Sequence, residues 1–171
     1  LDKIRARVGF LFQSNALYDS MTVRENLEFP MRRHWLHISA AEVNQKVMEV
    51  LTNVGLAHTV EMMPSELSGG MRKRIALARS LMLAPEIMLY DEPTTGLDPI
   101  TAMQINDLIN RTKEELKATS IVVTHDIRSA LTVGDRLAFH HAGKIAQIAP
   151  KDEFLQIQDP LVLDFFNNAV I

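Results

Sequence analysis

Apolar residues follow two rhythms along this chain. Val8–Phe12, Ile87–Tyr90 and Ile121–Val123 are short, nearly continuous apolar runs of strand length. Runs of that kind read as buried strands, and Ile87–Tyr90 has the pattern of a parallel strand covered on both faces. Between them the apolar residues recur at three- and four-residue intervals. Val43, Val47, Val50, Leu51 and Val54 form one such stripe, which predicts an amphipathic helix over 40–54. Ser39 with Glu42 three residues later is a capping-box signature for its start, and Gly55 supplies a C-terminal stop.

Punctuation residues delimit the other elements. Residues 14–21 are polar and loop-like, and a short helix over Val23–Phe29 is expected to stop at Pro30. A loop containing Pro64 leads to Ser68, which can cap a helix over about 69–83, with Pro85 ending it. Asp98-Pro99 is a helix cap followed by a proline at the first helical position, opening a helix to about Lys117. A helix over roughly 126–133 follows the 121–123 strand. Arg136–His140 and Lys144–Ile148 then flank an Ala142-Gly143 turn and read as a hairpin, with short helices near 151–157 and 160–167 closing the chain. Strands alternating with helices imply an α/β fold with a mostly parallel sheet. The interval between the first two strands is almost entirely helical, which implies a helical insertion hung on that sheet.

Composition narrows the chemistry. At 171 residues the chain can bury one sizeable core, and 47% hydrophobic with 23% charged residues is ordinary for a globular protein. A net charge of −3 offers no basic face for nucleic acid. The absence of cysteine removes disulfides, thiolate metal sites and Cys nucleophiles, and agrees with a reducing cytoplasm. No run approaches the roughly 20 apolar residues that span a bilayer, and the best stretch, Ile75–Leu89, is broken by Arg79, Pro85 and Glu86. The chain opens on Leu1 and carries no signal-peptide pattern, so it is expected to be a fragment or a processed product.

The candidate chemistry clusters where strands end. Asp91 and Glu92 close the 87–90 strand, the edge at which open α/β sheets bind ligands. One carboxylate there can hold Mg²⁺ while the other orients and deprotonates a water, although a strand ending in a polar turn looks the same. His125 and Gln13 take equivalent places after their own strands. An imidazole there can bond a terminal phosphate and an amide can ligate a metal, but a lone His is commonly structural and a single Gln says little. Ser68-Gly69-Gly70 leaves backbone N–H groups free at a helix start for an anion, or is simply a well-capped surface helix. Arg72, Lys73 and Arg74 add positive charge there, without all facing one way. Met71, Ile75, Leu77, Ala78, Leu81 and Met82 read as core stripe, and Asp98 is most simply a cap. Together, Gln13, Asp91-Glu92 and His125 would meet along one sheet edge.

In this order, Gln13, LSGGM (67–71), IMLYDE (87–92), GLD (96–98) and His125 resemble the Q-loop, signature motif, Walker B strand, D-loop and switch histidine of an ATP-binding cassette (ABC) transporter ATPase. The likeness covers essentially the whole chain. It implies a P-loop NTPase-like sheet with an inserted α-helical subdomain: 1–13 and 85–171 as a partial ATPase core, and 14–84 as the helical subdomain carrying the signature. It implies ATP and Mg²⁺ as cofactors. Asp91 would sit in the Mg²⁺ shell, Glu92 would be general base and His125 would contact the γ-phosphate. Gln13 would link the metal site to a transmembrane permease. Ser68, Gly69 and Gly70 would close over ATP on the opposite subunit of a head-to-tail dimer, with Asp98 along that interface.

The stretches 10–31, 67–79 and 159–167 resemble, more narrowly, the ATPases of Mla-type lipid transporters, known also from organic-solvent and toluene tolerance. Those systems work with a permease and a mammalian-cell-entry-type binding protein, and place the ATPase on the inner face of the bacterial inner membrane. The ATPase of another importer or exporter, for amino acids for example, is the alternative within the family. A non-catalytic module that kept the fold is the alternative outside it. The short insertion and the absence of a basic face argue against a DNA-repair or translation ATPase.

One departure is large: G-x-x-x-x-G-K-[ST], the phosphate-cradling Walker A loop, occurs nowhere in the 171 residues. Gly9 is the one glycine before Gln13, and Gly143-Lys144 has Ala138 and Ile145 where Gly and Ser or Thr belong. Its first sheet strands are expected to be missing with the loop. Residues 1–171 alone are therefore expected neither to hydrolyse ATP nor to stay monomeric. ATP turnover by this chain, abolished by Glu92→Gln, would overturn that expectation.

Overall fold

Three parallel strands form the centre of the computed structural model, which describes residues 2–34 and 38–169. The sheet runs β1 (Val8–Leu11), β2 (Ile87–Asp91), β3 (Thr119–Val123), in that spatial order. Leu11 pairs with Tyr90, and Asp91 with Val123, so the C-terminal ends of all three strands lie along one edge. A short helix α1 (Asp2–Ala6) precedes β1 and was not legible in the apolar pattern. Helices α2 (Val23–His34), α3 (Ala40–Asn53) and α4 (Gly69–Leu81) fill the interval between β1 and β2, and α5 (Pro99–Leu116) joins β2 to β3.

Local signals fix most boundaries. The capping box of α3 forms as expected: Glu42 N donates to Ser39 Oγ, and Ser39 N donates to the Glu42 carboxylate at 2.9 Å. Gly55 follows at φ +73°, a left-handed turn that glycine takes without a Cβ penalty. Asp98 caps α5 through the N–H groups of Ile100 and Thr101, with Pro99 at the first helical position.

The helix starting at Val23 does not stop at Pro30. It continues to His34, because Val23, Leu27 and Met31 make one fully buried stripe that spans the proline. Burying side chains of that size contributes about 1.5–3 kcal/mol each, which together outweighs the roughly 3 kcal/mol an interior proline costs. Arg32 adds an ion pair one turn back to buried Glu28.

Among the described residues the sheet is buried on one face. Gly9, Leu11, Met88 and Tyr90 are buried on that face. A Cβ on Gly9 would meet Met88 Sδ at 2.3 Å and the Ser80 carbonyl at 2.8 Å, so β1 can pass the end of α4 only as glycine. On the other face Phe10, Phe12, Ile87, Ile121 and Val123 stay between 39% and 59% exposed, and the Phe10 and Phe12 rings stack at 4.2 Å. The expectation of strands covered on both faces thus holds for one face alone among the described residues.

Residues Leu1–Val123 form one compact unit and Thr124–Ile171 a second. The second holds α6 (Ile127–Val133), the antiparallel hairpin β4 (Arg136–His141) and β5 (Lys144–Pro150), α7 (Lys151–Phe154) and α8 (Pro160–Ala169). Ala142 and Gly143 both take positive φ, as a tight two-residue hairpin turn requires. Phe139 on β4 packs on Phe165 of α8, and Phe154 lies beside Phe166. Among the described residues no helix is long and apolar enough to cross a membrane.

Candidate functional site

Gln13, Asp91 and Glu92 share the C-terminal edge of the sheet. Asp91 is the last residue of β2, and Gln13 lies two residues past the end of β1. Glu92 leaves the strand abruptly. Its φ is +46°, a left-handed conformation for a residue with a long side chain. Such conformations cost on the order of 1–3 kcal/mol and persist where the surroundings impose them. Here Glu92 N donates to Val123 O at 2.9 Å, and Thr95 Oγ1 donates to the Glu92 carboxylate at 2.8 Å. The backbone therefore turns Glu92 out of the plane in which a regular strand would have left it. The alternation of sides along a regular strand thus ends at Asp91.

Between these residues lies a side chain whose place in the sequence suggested only helix-start charge. Lys73 of α4 is 2% exposed, and its Nζ donates to the Gln13 carbonyl at 2.8 Å. Burial pulls its ammonium below the ordinary lysine range, against an upward pull from the charges of Asp91 and Glu92. Lys73 thus brings a buried positive charge to the edge where two carboxylates sit. Its signal in the sequence was a lysine on the apolar stripe, three and four residues before buried Ala76 and Leu77. Ile75, Leu77, Ala78 and Met82 of the expected stripe are buried; Met71 and Leu81 lie at its half-exposed margin.

Ser68, Gly69, Gly70 and Asp98 meet elsewhere. They line an open groove of about 330 Å³ together with Arg74 and Thr101. Ser68 caps α4 by accepting from Met71 N at 3.2 Å. Gly70 is demanded by packing, since a Cβ there would come within 2.6 Å of Thr101 Cγ2. Gly69 is not, because a Cβ would meet nothing within 4 Å. No internal contact among the described residues accounts for Gly69 being glycine. Asp98 accepts from Thr101 Oγ1 as well as from its backbone, and these bonds hold its carboxyl below the usual carboxylate range. The cap reading of Asp98 is realised, and the same residue lines the groove.

His125 is exposed and belongs to the second unit, two residues past β3. The turn that carries it is tied by Asp126 N donating to Thr124 Oγ1 at 3.0 Å. Asp126 then caps α6 through Ser129 N and Ser129 Oγ.

A profile of the ABC transporter family matches residues 1–95, more than half of the chain. The chain belongs to this family. It is 41% identical over 165 residues to the intermembrane phospholipid transport system ATP-binding protein MlaF of Haemophilus influenzae, covering 96% of this chain and 62% of that protein. It is 40% identical over 171 residues to the probable ribonucleotide transport ATP-binding protein mkl of Mycobacterium tuberculosis, of which it spans 47%. Among solved structures it resembles the dimeric ATP-binding cassette MJ0796 bound to ADP and Pi. That match has a TM-score of 0.78 at 34% identity, over 87% of this chain and 65% of the other. The chain thus spans between about half and two thirds of these relatives' lengths. The α/β fold expected from the alternation of strands and helices is the fold of an ABC cassette.

Proposed function

We propose that this chain is part of the ATPase subunit of an ABC transporter that couples ATP hydrolysis to movement of phospholipid or another lipid across the bacterial envelope. The observation that carries the catalytic part is Glu92, held in a left-handed turn at the end of the central strand beside Asp91. Backbone strain at the ligand-binding edge of an open α/β sheet supports a functional role for Glu92. In this reading Glu92 is the general base that takes the proton of the attacking water, and His125 bonds the γ-phosphate. Asp91 and Gln13 would hold Mg²⁺.

Oxygen donors of this kind suit Mg²⁺, which uses one or two carboxylates, waters and phosphate oxygens rather than an all-protein cage. Among the described residues no cluster of three or more His, Cys, Asp or Glu could hold a metal by itself. Bound there, Mg²⁺ would offset phosphate charge during transfer.

Ser68, Gly69 and Gly70 would close over the nucleotide of a second ATPase subunit, arranged head to tail, with Asp98 along the interface. Gly69, open on the side a ligand would approach, supports this. Residues 1–13 and 85–171 are assigned to the ATPase core and 14–84 to a helical subdomain. The subunit would sit on the inner face of the inner membrane through its permease, with a mammalian-cell-entry-type binding protein as further partner.

The lipid cargo rests on the MlaF likeness. The ribonucleotide transport relative, at 40% identity over the whole chain, favours a second reading in which the permease serves another importer or exporter. One experiment separates them. The intact protein is purified with its permease, and its ATP turnover is measured with vesicles containing phospholipid and with candidate polar solutes. Stimulation by phospholipid alone supports the lipid reading, and stimulation by a polar solute alone overturns it. No ATP turnover in either case overturns the ATPase itself.

A further inference from the structure

Residues 13–18 leave β1 and make a strap toward α2 that does not follow its own backbone preference. Asn15 and Ala16 both have left-handed φ values, 66° and 51°. Asn tolerates that region, but it costs Ala16 roughly 1–2 kcal/mol, so contacts from outside the strap help to hold the shape. Two cations of α4 supply them, and both grip the backbone rather than side chains. Lys73 Nζ donates to Gln13 O at 2.8 Å. Arg79, six residues and about 9 Å further along the helix, donates to Ala16 O at 2.8 Å and to Asn15 O at 3.2 Å.

The far end is anchored as firmly. The Arg79 guanidinium lies 5.8 Å from the centre of the Tyr18 ring, which also packs against Phe29. Fully buried Asn26 of α2 accepts from Tyr18 N at 2.8 Å and donates to Tyr18 O and Met21 O. An ammonium as buried as that of Lys73 is costly to leave without an acceptor, so its bond to the Gln13 carbonyl is not readily exchanged. The exposed Gln13 amide is left outside this grip.

We propose that Lys73 and Arg79 are positioning residues that clamp the 13–18 strap to α4, so that Gln13 keeps its place at the sheet edge through the helix whose first turn carries Ser68-Gly69-Gly70. This rests on the reading of Gln13 as a metal-site residue given above.

The test uses the intact protein with its permease and the variants Lys73→Met, Lys73→Arg, Arg79→Lys and Gln13→Ala. Amide hydrogen exchange without nucleotide is the first readout. Lys73→Met should raise exchange at 13–16 about tenfold or more and leave α3 unchanged. Lys73→Arg should restore protection to within about twofold, and Arg79→Lys should give a smaller rise confined to 15–16. The second readout is the Mg²⁺ concentration for half-maximal ATP turnover. It should rise about tenfold in Lys73→Met while half-saturating ATP moves less than about twofold.

Unchanged exchange at 13–16 in Lys73→Met overturns the clamp, as does a rise spread equally over α3. If Gln13→Ala leaves the Mg²⁺ requirement unchanged, the metal-site reading of Gln13 fails, and the exchange readout still decides the clamp.

Discussion

The sheet edge at Gln13, Asp91 and Glu92 and the groove at Ser68, Gly69, Gly70 and Asp98 are built on opposite plans. At the edge, Gln13 and Glu92 are held from within the chain. Lys73 fixes Gln13, Val123 and Thr95 fix Glu92, and the backbone is strained to do so. In the groove the internal contacts account for Ser68, Gly70 and Asp98, but Gly69 faces open space. A group that must act on a bound nucleotide needs a fixed position, whereas a surface that closes on another molecule needs room. The contrast is what a site divided between two subunits would require of each half.

The largest effect is expected from Glu92→Gln in the intact protein. Removing the proposed general base should lower ATP turnover by about 10²–10⁴ while nucleotide binding survives. Phosphate release and nucleotide affinity measured side by side check this, and turnover within twofold of the parent would remove Glu92 from the chemistry. The two glycines give the next largest effects, in different observables. Gly70→Ala forces a methyl group against Thr101 and should destabilise the fold by about 1–3 kcal/mol, read from denaturant midpoints. Gly69→Ala should leave stability within about 0.5 kcal/mol, since nothing lies opposite. It should nonetheless impair ATP-dependent dimerisation, followed by light scattering. If Gly69→Ala dimerises normally, the groove is a capped helix end and nothing more.

The smallest effect concerns Asp98. Its carboxyl is held below the ordinary range by Thr101, so the charged form is the stabilised one in the folded state. Its contribution is present above the unfolded value near 4 and is lost as pH falls through the lower folded value. The side chain is solvent-exposed, so salt and water screen the effect. Unfolding midpoints of the parent should fall slightly more than those of Asp98→Asn between about pH 5 and pH 3. A variant that falls as steeply as the parent would leave Asp98 as a neutral-type cap.

Many of these features are legible in the amino-acid sequence, and the reasons are local. The capping box of Ser39 and Glu42, the Asp98-Pro99 start and the apolar run into Asp91 depend on residues within four positions of each other. The features that the sequence pattern misses involve distant partners. Pro30 stays inside α2 because Leu27 and Met31 bury against elements far away in sequence. Phe10 and Ile121 have the apolar character of core residues, yet the described residues leave that face of the sheet exposed. Lys73 has the pattern of one of three surface charges at a helix start, and it is buried against a carbonyl 60 residues upstream.

Motif order and spacing were thus enough for the family, the α/β alternation and the candidate residues Gln13, Ser68, Asp91, Glu92 and His125. They could not say that Glu92 turns left-handed, that Gly70 is required by Thr101 while Gly69 is not, or that Lys73 grips the strap after β1. Those features depend on which distant backbone comes within about 3 Å of a given atom, the reach of a hydrogen bond. Packing of the whole unit decides that, because short-range propensities of about 1 kcal/mol are smaller than the burial and hydrogen-bond contributions that override them.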